Sequence, residues 1–149
     1  MREVFMREAL AQAQRALEEG EIPVGATVVR GDEVIAVAHN ERERMQDPTA
    51  HAEVLALRRA AKRLGRRRLG DCTLYVTLEP CPMCAGAAAM AGVGSVVFGA
   101  YDARAGCAGS VYALPEDPAF GAPCVCHGGL LEAECAALLR GFFEARRAD

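Results

Sequence analysis

The sequence contains no tryptophan, its aromatic residues amount to only 5%, and Lys62 is its single lysine. The core must therefore be built from aliphatic and small side chains, and arginine carries nearly all the positive charge. No apolar run approaches the ~20 residues needed to cross a bilayer, which excludes a membrane-spanning chain. The net charge of −3 excludes a uniformly basic nucleic-acid-binding surface, although it leaves room for a local basic patch.

The seven cysteines are an odd number, and the charged segment Met1–Glu8 lacks the apolar stretch of a secretion signal. We therefore expect a cytoplasmic protein whose cysteines are buried thiols or metal ligands rather than a set of disulfides.

The length of 149 residues, with 52% hydrophobic and 25% charged residues, fits one folded domain spanning residues 1–149. Hydrophobic periodicity and turn residues predict helices over 2–19, 49–64, 81–91 and 130–147, strands over 22–29, 34–38, 73–78 and 96–98, and loops over 40–48 and 99–128. Strands that alternate with helices after the first hairpin indicate an α/β fold whose sheet is covered on both faces.

Two short motifs carry the strongest chemical signal, His51-Ala52-Glu53 and Pro80-Cys81-Pro82-Met83-Cys84. One imidazole and two thiolates supply three ligands for zinc and leave a fourth position open, as in catalytic zinc sites. Pro82 suits the first position of a helix, which places Cys81 at the N-cap, where the helix dipole favours a thiolate. His51 also lies near a predicted helix start, so two helix N-termini are expected to converge on one metal.

Glu53 follows His51 by two residues, which on a helix is a rotation of ~200° away from the ligand's face. It is therefore a poor fourth ligand but a suitable proton shuttle, since a carboxylate near an activated water can take and return a proton. Either motif alone is weak, but H-x-E followed about 30 residues later by P-C-x-x-C is typical of zinc-dependent nucleobase deaminases.

Residues along nearly the whole chain resemble the bacterial tRNA-specific adenosine deaminases of the cytidine-deaminase-like superfamily. The matching stretches are Gly20–Ala26, Asp47–Glu53, Thr73–Ala87, Phe98–Asp102, Ala108–Ser110, Glu134–Leu139 and Phe142-Phe143. The resemblance implies a three-layer α/β/α sandwich with a five-stranded mixed sheet, one zinc per chain and a homodimer. It also implies hydrolysis of adenosine to inosine at the wobble position of a tRNA anticodon, by attack of a zinc-activated hydroxide on C6.

Carried over residue by residue, the resemblance makes His51, Cys81 and Cys84 the zinc ligands and Glu53 the proton shuttle. It also matches Asn40, Asp102 and Arg104 to residues that contact the substrate nucleotide or its backbone. Two segments depart from the family, because Gly121-Ala122 replaces a common Asn-His and residues 90–95 carry no arginine. Both departures bear on RNA affinity rather than on catalysis.

Several alternatives stay open at the level of sequence. A small-molecule deaminase acting on guanine, cytosine or a free nucleoside shares both motifs, and a catalytically inactive RNA-binding subunit is a third possibility. Retention of Glu53 argues against the latter, because a scaffold needs no proton shuttle. The arginines at 66–68 and 146–147 either contact RNA or form solvated helix faces. The cluster Cys124-Val125-Cys126-His127 fits a strand with incidental thiols better than a second zinc site.

Overall fold

The computed structural model describes residues 2–121 and 123–148, so Ala122 of the divergent Gly121-Ala122 pair lies outside the described residues. The elements, in chain order, are α1 (Glu3–Glu18), β1 (Gly25–Arg30), β2 (Glu33–His39), α2 (Arg42–Met45), α3 (Ala52–Leu64), β3 (Cys72–Leu78), α4 (Pro82–Ala91), β4 (Ser95–Ala100), two 3₁₀ turns (Leu114–Glu116 and Pro118–Phe120), β5 (Val125–His127) and α5 (Glu132–Ala148).

The strands form one mixed sheet in the order β2-β1-β3-β4-β5. β1 pairs antiparallel with β2 and β3, whereas β3, β4 and β5 run parallel to one another. Helices α1 and α5 pack on one face of the sheet, and α3, with α4 beside it, packs on the other. The fold is therefore the three-layer α/β/α sandwich with a five-stranded mixed sheet that the sequence predicts.

Alternation along the strands divides the core between the two faces. Leu74 and Val96 are buried on the α3 side, whereas Tyr75 and Val97 are buried on the side of α1. Gly25 shows how closely α1 approaches the sheet, because a β-carbon at this position would overlap the carbonyl oxygen of Ala9. The many small residues of the sequence thus serve tight packing of helices on the sheet.

Several predicted boundaries and loops are wrong. The helix predicted from Thr49 begins at Ala52, because Asp47 accepts hydrogen bonds from the backbone nitrogen and the hydroxyl of Thr49 and so holds a turn. The predicted loop 40–48 contains α2, and the predicted loop 99–128 contains β5 and both 3₁₀ turns. Phe143, predicted on the apolar side of the last helix, is 45% exposed. No described helix is both long and apolar enough to cross a membrane.

Candidate active site

The N-termini of α3 and α4 converge near the carboxyl end of β3, the central strand of the sheet. This convergence of two helix N-termini agrees with the sequence-based expectation. His51 is the N-cap of α3 and Cys81 is the N-cap of α4, with Pro82 in the first turn. The Nδ1 atom of His51 lies 3.7 Å from the Sγ of Cys81 and 3.5 Å from the Sγ of Cys84. The three potential ligand atoms all lie within 4.8 Å of one another.

This spacing fits a tetrahedral metal. A nitrogen and a sulfur bound to tetrahedral zinc at about 2.05 and 2.3 Å are roughly 3.6 Å apart. The two nitrogen–sulfur distances at His51 bracket this value. His51, Cys81 and Cys84 could therefore hold one metal ion, and three protein ligands would leave one coordination position for water or substrate.

The protonation equilibria of the trio favour a thiolate at Cys81. The pKa of Cys81 falls to about 4 mainly because the thiol of Cys84 donates a hydrogen bond to it. The hydrogen bond with His51 and the charge of that ring lower it further, while burial opposes the shift. The pKa of His51 is raised by its hydrogen bond with Cys81, and the pKa of Cys84 is raised because its thiol is the donor to Cys81 and is buried. A thiolate is the form of cysteine that binds metal.

Glu53 lies in the first turn of α3 and is only 4% exposed. Burial raises the pKa of its carboxyl to about 7, and the negative charge of neighbouring Cys81 adds to this effect. A carboxyl with this pKa can both accept and donate a proton near neutral pH. The geometry therefore supports the predicted shuttle role.

A cavity of about 160 Å³ opens above these residues. Its lining residues are Ile22, Val24, Asn40, Arg42, His51, Ala52, Glu53, Leu78, Glu79, Cys81 and Asp102. Pockets for drug-sized ligands measure roughly 300–1,000 Å³, so this cavity suits one small group such as a single nucleobase. Asn40 and Asp102, predicted from the resemblance, line the same cavity as His51 and Cys81.

Asn40 is 6% exposed and is held at both ends of its amide. Its Nδ2 donates to the carbonyl of Ile22 at 3.2 Å, and its Oδ1 accepts from the backbone nitrogen of Arg42 at 3.1 Å. One N–H and one lone pair of the amide stay available. Asn40 can therefore contact a ligand from a fixed position.

Two predicted site residues do not line this cavity. Cys84 is fully buried, and Arg104 lies in a groove of about 540 Å³ along α5. The lining residues of this groove are Arg104, Leu139, Arg140, Phe143, Arg146 and Arg147. A second cavity, of about 530 Å³, shares Arg104 and Phe143 with this groove and shares Ile22, Leu78 and Asp102 with the small pocket. A basic and partly apolar path thus leads from the pocket to the C-terminal helix.

The arginine-rich segment of α3 is largely used within the fold. Arg63 donates to the carbonyls of Val34 and Ile35, and Arg59 donates to the carbonyl of Val37, so both cover the open edge of β2. Beyond the helix, Arg66 and Asp71 form an ion pair at 2.8 Å. The fold thus accounts for Arg66, one of the three arginines at 66–68 that the sequence leaves open for RNA contact.

Two other clusters differ from the metal-binding trio. Cys124 is buried and Cys126 half-buried at the edge strand β5, while His127 is exposed, and their ligand atoms do not converge. His39 is buried and bonded through its ring nitrogens to Gln12 and Glu19, which agrees with the structural role predicted for it.

Sequence reasoning missed two residues of the site. Arg42 lines the pocket from α2, an element that was not predicted. Glu79 also borders the pocket and is 1% exposed, although the sequence pattern predicted no role for it. The only local signal for Glu79 is its own position, because an acidic residue stands directly between a buried strand and the Pro-Cys motif.

Comparisons with known proteins agree with this site. The sequence model of MafB19-like deaminases matches residues 2–114. The tRNA-specific adenosine deaminase of Bacillus subtilis is 48% identical over 97% of this chain and 90% of its own. A solved structure from studies of A-to-I editing by tRNA:A34 deaminases has a TM-score of 0.88 and 39% identity, covering 93% of this chain and 100% of that chain.

A second class of relative has a different substrate. The guanine deaminase from Nitrosomonas europaea superposes with a TM-score of 0.80 at 28% identity, covering 95% of this chain and 84% of its own. Sequence identity to this chain, and the share of the relative's own length that is covered, are both higher for the tRNA-specific relatives. The chain belongs to the deaminase family that contains the tRNA-specific adenosine deaminases.

Proposed function

We propose that this chain is a single zinc-dependent deaminase domain that converts adenosine to inosine at the wobble position of a tRNA anticodon in the cytoplasm. The reaction is a hydrolysis of the C–N bond at C6 of adenine, with release of ammonia. The observation that carries the proposal is that His51, Cys81 and Glu53 line a pocket sized for one base, and that the ligand atoms of His51 and Cys81 meet that of Cys84 there.

One zinc ion per chain would be held by His51, Cys81 and Cys84. When bound, the ion supplies Lewis acidity that lowers the pKa of water towards neutrality. The donor set supports zinc, because imidazole and thiolate are its preferred ligands and the spacing of the ligand atoms is tetrahedral. We expect metal analysis to give one zinc per chain.

Glu53 performs the proton transfers of the reaction. Its carboxylate takes a proton from the attacking water and delivers it to N1 of the adenine. It then takes the remaining proton of the new C6 hydroxyl group and passes it to the amino group, so that ammonia leaves and C6 keeps a carbonyl oxygen. Each transfer requires a group whose pKa lies near the working pH, which burial provides at this position. Asn40 and Asp102 line the pocket around the base and would fix its orientation.

The groove along α5 would bind the RNA that flanks the target base. Among the described residues, the guanidinium groups of Arg104, Arg140 and Arg147 line this groove and form neither an ion pair nor a hydrogen bond. Arg146 also lines it but donates to the carbonyl of Gly20. Unpaired guanidinium groups can bind phosphates, and the exposed ring of Phe143 offers a surface for base stacking. An anticodon loop suits this site, because its bases are single-stranded and one can be extruded at little cost.

Helix α4 supports a homodimer. Its sequence, Pro82–Ala91, has no charged residue, and Met90 on it is 81% exposed. An apolar surface helix is normally covered by another chain. We propose that a second copy covers α4 and that the protein is a homodimer.

The competing function is deamination of free guanine, as in the relative from Nitrosomonas europaea. The two functions are distinguished by incubating the zinc-loaded protein separately with an anticodon stem-loop, with free adenosine and with guanine, and following each by mass spectrometry. We expect deamination of the stem-loop and little or none of the two small molecules. Deamination of guanine without deamination of the stem-loop would move the protein to the small-molecule class.

A further inference from the structure

Glu79, between β3 and α4, is a carboxylate that is 1% exposed. Its Oε1 accepts hydrogen bonds from the backbone nitrogen of Asp102 at 3.0 Å and from the hydroxyl of Ser110. Its Oε2 accepts from the backbone nitrogens of Ala108 at 3.1 Å and of Ser110 at 2.8 Å. All four bonds come from one segment, residues 101–112, which we call the rim loop.

The rim loop is wrapped closely around this carboxylate. The backbone nitrogen of Cys107 donates to the carbonyl of Pro80 at 2.8 Å, which fixes the loop to the residue after Glu79. At Gly106 a β-carbon would overlap the carboxyl group of Glu79 itself, so only glycine allows this approach. The loop therefore takes its shape from a side chain outside it.

The rim loop bears directly on the site. Asp102 lines the small pocket, and Arg104 lines the groove along α5. The side chain of Asp102 accepts from the backbone nitrogens of Arg104 and Ala105, so these residues form one turn that moves as a unit. Release of the Asp102 backbone from Glu79 would displace both substrate-facing side chains together.

The burial of Glu79 is matched by hydrogen bonds rather than by an opposite charge. Its four hydrogen bonds occupy both oxygens. Among the described residues, no basic side chain forms an ion pair with it. The polar partners of this carboxylate are therefore the backbone and the Ser110 hydroxyl of the rim loop.

We propose that Glu79 is a positioning residue that holds the rim loop in its substrate-binding shape. This inference rests on the proposed function, because the substrate defines what Asp102 and Arg104 must contact. Small displacements of such groups reduce activity even when the reacting residues are intact.

The substitution Glu79→Gln tests this role with little change of volume. The glutamine amide has only one oxygen, so its NH₂ group replaces one of the two accepting oxygens. In one orientation the NH₂ group faces the backbone N–H of Asp102, and in the other it faces those of Ala108 and Ser110, so at least one of these hydrogen bonds is lost. A hydrogen bond to a charged group typically changes an equilibrium by roughly tenfold to a hundredfold. We expect KM for the stem-loop to rise by about tenfold or more, with a smaller change in kcat, and zinc content to stay at the wild-type level.

Hydrogen exchange gives a readout that does not depend on activity. In Glu79→Gln the amides of Asp102, Ala108 and Ser110 should exchange faster, while those of β1 and α3 keep their wild-type rates. Ser110→Ala removes only the hydroxyl donor and should produce the same changes to a smaller extent, which keeps the test available if Glu79→Gln folds poorly. The matched control is Glu116→Gln, because Glu116 is exposed and also accepts a backbone N–H, that of Cys126, away from the pocket.

The proposal is overturned if Glu79→Gln and Ser110→Ala both keep the wild-type KM and the wild-type rate of hydrogen exchange in the rim loop. Faster exchange throughout the chain with unchanged KM per zinc-loaded molecule would also overturn it, since Glu79 would then be a general fold contact. If the wild type deaminates guanine but not the stem-loop, the proposed function fails. Faster exchange in the rim loop and a raised KM for guanine would in that case still support the positioning role.

Discussion

Neutralising Arg140 on the α5 groove should reduce the salt dependence of RNA binding by a defined amount. Arg104, Arg140 and Arg147 are the unpaired arginines of this groove within the described residues, whereas Arg146 donates to the carbonyl of Gly20. For single-stranded nucleic acid, each phosphate contact contributes about 0.7 to the slope of log affinity against log salt. Three contacts would therefore give a slope of about −2.1 from this groove.

Between 50 and 200 mM salt, the wild-type slope of about −2.1 corresponds to a roughly 18-fold loss of affinity. With one contact fewer, Arg140→Gln should have a slope of about −1.4, which corresponds to a roughly 7-fold loss. Phosphate contacts elsewhere would steepen both slopes equally, so the difference of about 0.7 is the quantity predicted. The assay is fluorescence anisotropy of a labelled anticodon stem-loop, titrated with wild type and variant at several salt concentrations.

Arg67→Gln is the matched control, because Arg67 is exposed in the loop after α3 and lies outside the groove. Its salt slope should equal that of the wild type. An unchanged slope for Arg140→Gln would refute the assignment of the groove to RNA. An equal reduction for Arg67→Gln would show that the effect reflects net charge rather than the groove.

The remaining predictions concern the metal, the proton shuttle and the dimer. Cys81→Ser should lose zinc and have a lower midpoint of thermal unfolding, because the ion would join two helix N-termini. Metal analysis and a melting curve test this, and a variant that retains zinc would contradict the role of Cys81 as a ligand. Glu53→Gln should keep zinc while turnover falls by ~10²–10⁴-fold, the usual contribution of a general acid–base, and activity above a tenth of wild type would contradict the role. Met90→Glu should convert a dimer to a monomer in light scattering, since it places a charge on the exposed apolar side of α4, and an unchanged mass would place the interface elsewhere.

The metal-binding trio could be predicted because each of its residues has a local signal. The C-x-x-C spacing puts Cys81 and Cys84 on one side of a helix start, and Pro82 sets where that helix begins. The structure confirms this helix from Pro82 and places His51 at the N-cap of α3. The fold class followed from the order of strands and helices, although the fifth strand was implied only by resemblance.

Contacts between distant segments could not be predicted in this way. The role of Glu79 depends on backbone nitrogens 23 to 31 residues further along the chain, and no periodicity reveals which of them surround a carboxylate. The same holds for Arg59 and Arg63, which a charge pattern cannot distinguish from a solvated face but which bind carbonyls of β2. The start of α3 was misplaced because Asp47 stabilises a competing turn just before it.

We propose that the pocket above His51 and Glu53 deaminates the wobble adenosine of a tRNA. It is tested most directly by incubating zinc-loaded protein with unmodified tRNA transcripts and sequencing their cDNA, in which inosine is read as guanosine. We expect adenosine-to-guanosine changes at the wobble position with the wild type, no such changes with Glu53→Gln, and none at other adenosines. Absence of change at the wobble position in a zinc-loaded protein that deaminates free guanine would contradict it.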